Sequence, residues 1–292
     1  MPRKQTRQDE KVRIVTSNTF ITAYGIEKLS LKARKLLYLA ISQCRKNDRE
    51  FFEFSITVKE FAKLIGINPT HVYQEVRKIC TELTMICINT EPETSRNFCL
   101  YTVFSYCQYR DGVGIVFKLN SDMMDFLLKL RRDFSQPLLN DFVKMRSPYS
   151  MAIWHLMQEK MGSEKPNLTE KKEFELTVAE LRQITGAEDK LKQIGQFKER
   201  ILDKAIREIK ENCAVKITYT DIKTGRTITA FHFKAVNQYH IDKNRIKPET
   251  MAKVANHRRK VIEEKMITIS KPKTDDNLKG QIELEDYLDD NY

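Results

Sequence analysis

The sequence predicts an α+β chain of two tandem winged helix-turn-helix domains, related by internal duplication and followed by a flexible charged tail. Three observations point there. One stretch occurs twice, as "EFSITVKEFAKLIGI" from Glu53 and "EFELTVAELRQITGA" from Glu173, aligned without a gap. Each copy is flanked by the same order of helix-like and strand-like patterns. The last helix and hairpin, "FKERILDKAIREIKENCAVKITYTDIKTGRTITAFHF", also place cations at their exposed positions.

Taken along the chain, residues 1–14 form a basic arm. "MPRKQTRQDEKVR" sets Arg3, Lys4, Arg7, Lys11 and Arg13 against Asp9 and Glu10, a composition expected to order only on binding. The first domain covers 15–145. Its opening helix runs from about Leu29, with Leu29, Leu36, Leu37 and Ala40 inward. In the first copy of the repeat, Thr57 and Glu60 have the spacing of a capping box, and Val58, Phe61 and Ile65 the spacing of one helix face. Gly66 suits a helix C-terminus. Asn68-Pro69 then caps the next helix, "PTHVYQEVRKICTEL". The strands "TMICINT", "FCLYTVFSYCQY" and "VGIVFKL" close the unit. The middle one is apolar on both faces, with Phe98, Leu100, Phe104 and Tyr106 on one and Cys99, Tyr101, Val103 and Cys107 on the other. Burial on both sides is expected, either inside the domain or against a second subunit.

The second domain, 146–241, repeats the plan. "SPYSMAIWHLMQEK" turns Tyr149, Ile153, Trp154 and Met157 inward. Thr177 and Glu180 recreate the capping box, Val178, Leu181 and Ile184 the apolar face, and Gly186 the stop. After the longer turn "AEDKLKQIGQ", a helix buries Phe197, Ile201, Ala205 and Ile209, and the hairpin "AVKITYT"/"TITAFHFKAV" completes the wing. In such a unit the third helix enters the DNA major groove and the wing reaches phosphates. Gly225 should take a positive φ at the tip, aiming Arg226 outward. The plainer reading of the helix cations is local pairing with Glu199, Asp203 and Glu208.

Composition narrows the function classes. With 51 Lys and Arg against 40 Asp and Glu, the 292-residue chain carries +11, which favours a polyanionic partner. Neither a membrane-spanning apolar run nor the apolar core of a signal peptide is present, so a cytoplasmic location is expected. No G-x-x-x-x-G-K-[ST] occurs among nine glycines, and the five histidines (His71, His155, His232, His240, His257) include no pair two apart. Neither P-loop chemistry nor a metal-dependent nickase is therefore expected, and no cofactor or metal. His232 reads as a strand-face residue. Cys44, Cys80, Cys87, Cys99, Cys107 and Cys213 form no C-x-x-C and read as core thiols.

The segments "NTFITAYGIEKLSLKARKLLYLAI", "SPYSMAIWHLM", "FELTVAELRQITG", "FKERILDKAIREI" and "TGRTITAFHFKAV" resemble the twin winged-helix replication initiators of iteron-containing bacterial plasmids. The resemblance spans about Val15 to Val236, with the lysine-rich turn and everything beyond Asn237 departing from it. It implies a DNA-binding initiator of plasmid replication that binds direct repeats at its origin as a monomer. It further implies that a homodimer represses its own gene, that the first domain serves dimerisation and backbone contacts, and that the second gives most base readout. Partners implied include the host initiator and helicase. The competing class is a transcriptional regulator with two winged helices and no origin function. Candidate DNA contacts are Lys192, Gln193, Gln196, Lys198, Arg200, Lys204 and Arg207 around the second reading helix, and Lys223 and Arg226 at its wing. Thr70, His71, Gln74, Arg77 and Lys78 occupy the equivalent helix of the first half.

The tail, 242–292, is basic to Lys273 and acidic from Thr274, a flexible extension by composition. Within "QIELEDYL", Gln281, Leu284, Tyr287 and Leu288 are spaced like a sliding-clamp ligand.

Overall fold

The computed structural model describes residues 3–4, 12–45, 48–66, 72–91, 95–110, 112–128, 130, 134–161, 171–213 and 215–237. In chain order the first half comprises β1 (Arg3–Lys4), β2 (Thr16–Ser17), α1 (Asn18–Ile21), α2 (Leu31–Ser42), β3 (Phe54–Ile56), α3 (Val58–Ile65) and α4 (Val72–Met85). It continues with β4 (Cys87–Asn89), β5 (Leu100–Thr102), β6 (Phe104–Arg110), β7 (Gly114–Leu119), α5 (Met124–Leu127), β8 (Phe134–Ser135) and α6 (Leu139–Lys144). The second half has α7 (Pro148–Met161), β9 (Lys172–Thr177), α8 (Val178–Thr185), α9 (Ile194–Phe197), α10 (Asp203–Asn212), β10 (Val215–Thr224) and β11 (Thr227–Asn237).

Local chemistry fixes the repeat. In both copies the threonine side chain accepts from the glutamate N–H and the glutamate carboxylate from the threonine N–H: Glu60 N–H to Thr57 at 3.2 Å with the return bond at 3.0 Å, and Glu180 N–H to Thr177 at 3.1 Å with the return at 2.7 Å. Gly66 and Gly186 end α3 and α8 in the left-handed region, at φ +72° and +60°.

The duplication extends to strand pairing. β3 pairs antiparallel with β7, and β7 with β6; β9 pairs with β11, and β11 with β10. Phe54 faces Phe117 across the first sheet, as its repeat partner Phe174 faces Phe233 across the second. The ring centroids are 6.0 and 5.5 Å apart, so each sheet carries the same aromatic cross-strand pair.

Three expectations need correction. "FCLYTVFSYCQY" is not one strand buried on both faces. β5 pairs with β4 in a separate ribbon and β6 joins the main sheet, with Val103 fully buried at the corner between them. An apolar residue on either face is needed where a strand changes sheets. Phe98 and Leu100 remain 71% and 60% exposed, and Cys87 and Cys99 are exposed rather than core thiols. The arm is not wholly detached either, since β1 lies parallel to β3, Ile14 is buried and the Arg13 guanidinium donates to the Gln136 carbonyl at 2.8 Å.

The two halves share one core. α7 is buried almost all round, with Tyr149 alone of its expected inward residues 36% exposed. One side of it meets α8 and α10; the other meets α1 and β8 of the first half. A buried polar chain crosses this joint: His155 on α7 lies 3.0 Å from Tyr38 Oη on α2 and 3.0 Å from Thr16 Oγ1 on β2. Arg34 on α2, also buried, donates to the Ile26 and Pro148 carbonyls at 2.8 and 3.2 Å. The Gln183 amide donates to the Thr22 carbonyl at 2.7 Å, so α8 is tied to the first half as well.

Candidate nucleic-acid interface

The second reading helix is one continuous element in which α9 passes through a π turn at Lys198–Leu202 into α10. A stripe spaced strictly by four drifts about 40° per step on a regular helix. The π turn inserts a residue and re-aims the rest of the helix, so Leu202 and Ile206 join Phe197, Ile201, Ala205 and Ile209 in the core. Gln193, Gln196, Arg200, Lys204 and Arg207 are left exposed.

Electrostatics separates these cations. Among the described residues no ion pair holds Arg200, Lys204 or Arg207. Two of the local acids are engaged elsewhere, Asp203 accepting from the Tyr219 hydroxyl at 2.5 Å and Glu208 from the Arg146 N–H, while Glu199 is exposed. Local pairing therefore does not neutralise the outer face. Lys198 differs. Its Nζ sits 2.7 and 2.9 Å from the two Asp221 carboxylate oxygens and 5.5 Å from the Tyr219 ring centroid, bracing helix against wing.

The wing is a tight hairpin. Thr224 faces Thr227 across Gly225-Arg226, and Gly225 has φ +62°, the glycine-first arrangement of a two-residue loop. Lys223 and Arg226 are exposed at this tip, as is Lys192 before the helix. His232 is a strand-face residue, 3.0 Å from Glu173.

In the first half, α4 presents Gln74, Arg77 and Lys78 to solvent, while Thr70 and His71 lie outside the described residues. Between α4 and β6 opens a cleft of about 730 Å³, lined in part by Tyr73, Arg77, Thr81 and Gln108. The Cys80 and Cys107 sulfurs meet 2.6 Å apart beside it, both as free thiols. The wing here is poorer in free cations, because Arg110 contacts Glu53 at 3.5 Å.

Sequence reasoning missed Arg182. It stands on the partly exposed side of α8, and its partners are backbone carbonyls, which leave no mark in a residue pattern.

Residues 13–158 match the family described as "Initiator Replication protein, WH1", and residues 177–235 match "Initiator Rep protein, WH2". Among solved structures, the chain is similar to the Pi initiator protein in complex with iteron DNA, with TM-score 0.65 and 21% identity. That likeness covers 78% of this chain and 98% of that one, and it bears on the fold. Domains 2 and 3 of RctB also match, at TM-score 0.41 and 8% identity over 76% of this chain and 82% of theirs.

Proposed function

This chain belongs to the initiator replication protein family, and we propose that it is a sequence-specific initiator of plasmid replication that binds direct repeats, iterons, at its origin. The observation carrying this reading is the second unit's outer face. Arg200, Lys204 and Arg207 line one helix without ion-pair partners among the described residues, and Lys223 and Arg226 tip the adjoining wing. Such a surface suits base edges from the helix and phosphates from the wing. The first unit adds Arg77 and Lys78 as backbone contacts. Its role is binding rather than catalysis, and its place is the cytoplasm; among the described residues no helix is long and apolar enough to cross a membrane.

A homodimer in equilibrium with the monomer, repressing the chain's own gene, belongs to the same proposal. The support is a set of exposed apolar side chains on the first half, where Met85, Phe98 and Leu100 are 74%, 71% and 60% exposed along and beyond the β4–β5 ribbon. Contacts with the host initiator, the helicase and, through Gln281, Leu284, Tyr287 and Leu288, a sliding clamp are also proposed; the tail lies outside the described residues.

The test is replication. A plasmid bearing the repeats that flank this gene should be maintained only when the chain is supplied. Tight repeat binding with no support of replication would instead favour a transcriptional regulator.

A further inference from the structure

The turn between α8 and the second reading helix has neither helix nor strand to order it, and it carries the one non-glycine residue with positive φ among the described residues, Leu191 at +50°. Backbone bonds from Ala187 N–H to the Arg182 carbonyl (2.9 Å) and from Lys190 N–H to the Ala187 carbonyl (3.3 Å) close its start, and one side chain gathers the rest. Arg182 Nη1 donates to the Ala187 and Lys190 carbonyls, both at 2.8 Å, and Nη2 donates to those of Leu191 and Lys192, at 2.9 and 3.1 Å. The same guanidinium lies 4.8 Å from the centroid of the Phe197 ring, which is fully buried in the first turn of the reading helix. Four carbonyls converge on a planar fork of fixed donors, and a lysine ammonium, a single point with three donors, cannot span them.

With the carbonyls drawn inward, Lys190, Lys192 and Gln193 stay exposed at the mouth of the reading helix. The repeat alignment places Ala62 where the second copy has Arg182, so the first copy has no arginine at that position.

We propose that Arg182 is a positioning residue for DNA reading: it folds the lysine-rich turn so that Lys190 and Lys192 clamp phosphates beside the groove that the helix enters. The inference rests on the DNA-reading proposal above and names how its second unit is registered on the duplex. Phosphate contacts carry no sequence, but they set where a helix sits, and misplacement weakens cognate binding most.

The experiment uses the full chain with Arg182→Lys, which keeps charge and stem length, and with the pair Lys190→Gln and Lys192→Gln, which leaves the fork in place. Two readouts are taken. The first needs no DNA: native-state trypsin cleavage after Lys190 and Lys192 should rise about tenfold or more in Arg182→Lys if the turn opens locally. The second is affinity for the cognate repeat relative to a scrambled duplex. That ratio should fall about tenfold in Arg182→Lys, the size of one lost base contact. The double glutamine variant should flatten the salt dependence of binding by up to about two units of slope.

Unchanged cleavage in Arg182→Lys would overturn the proposal, because the turn is then not held by the fork. Faster cleavage with an unchanged cognate-to-scrambled ratio overturns it too, since the turn then aims nothing. An unchanged slope in the double variant removes the clamp. A wild-type chain that fails to discriminate the repeat would sink the DNA-reading proposal, and this one with it, whatever the protease shows.

Discussion

Lys198 and Arg226 both border the second hairpin, and their neighbours give them different work. Lys198 is spent on Asp221 and the Tyr219 ring, within the protein. Arg226 follows a glycine in a fixed two-residue turn and faces solvent. Replacing Arg226 with Ala should lower affinity for cognate and scrambled duplex by a similar factor and flatten the salt slope by about one unit. Melting should shift by no more than a surface substitution allows, within ~0.5 kcal/mol. Arg200 is exposed on the helix proposed to enter the groove, so Arg200→Ala should instead cost ~1–3 kcal/mol of discrimination between the two duplexes. Binding isotherms at several salt concentrations separate these outcomes, and equal losses from Arg200→Ala would make it a phosphate contact. The sequence showed both cations but could not rank Lys198 apart from them, because Asp221 lies across a helix–hairpin packing that only the fold creates.

At the level of elements, the parts written in local chemistry were legible. Thr57-Glu60 with Gly66, and Thr177-Glu180 with Gly186, state where a helix starts and stops without help from tertiary structure. What was hidden depended on contacts distant in sequence. The break at Val103 could not be read because a strand that changes sheets is apolar on both faces, as a sandwiched strand is. The π turn was hidden because a four-residue spacing suits a helix either way. The exposed ribbon carries its own prediction. Leu100→Asp puts a charge on the exposed ribbon without touching the core, so if the proposed homodimer forms there, sedimentation at micromolar concentration should show the monomer gaining at the dimer's expense. An unchanged dimer fraction, or a wild type that is monomeric throughout, would contradict the proposed contact.

For the whole molecule, the joint between the halves sets the arrangement of the two winged-helix units. His155 is held neutral there, its pKa pushed down to about 3 by burial and then by the Arg34 cation. Burial likewise raises the Tyr38 hydroxyl to about 12. A histidine with a depressed folded pKa contributes fully above its unfolded value of about 6.5, and that contribution is lost as pH falls toward 3. Asp141 works in the opposite sense, since burial raises it to about 6 and its contribution is lost as pH rises from about 4 to 6. The His155→Gln variant isolates the first effect. Relative to that variant, the wild type should lose about 2 kcal/mol of unfolding free energy between pH 8 and pH 5. Parallel curves for the two proteins would mean that the imidazole is not buried neutral. The central claim, that both copies of the duplicated unit engage the duplex, is tested most directly by a hydroxyl-radical footprint of the full chain on one of the direct repeats flanking its gene. Two tandem units should protect two tracts on one face of the duplex, about one helical turn or ~10 bp apart. A single protected tract per repeat, or even protection along any duplex, would contradict it.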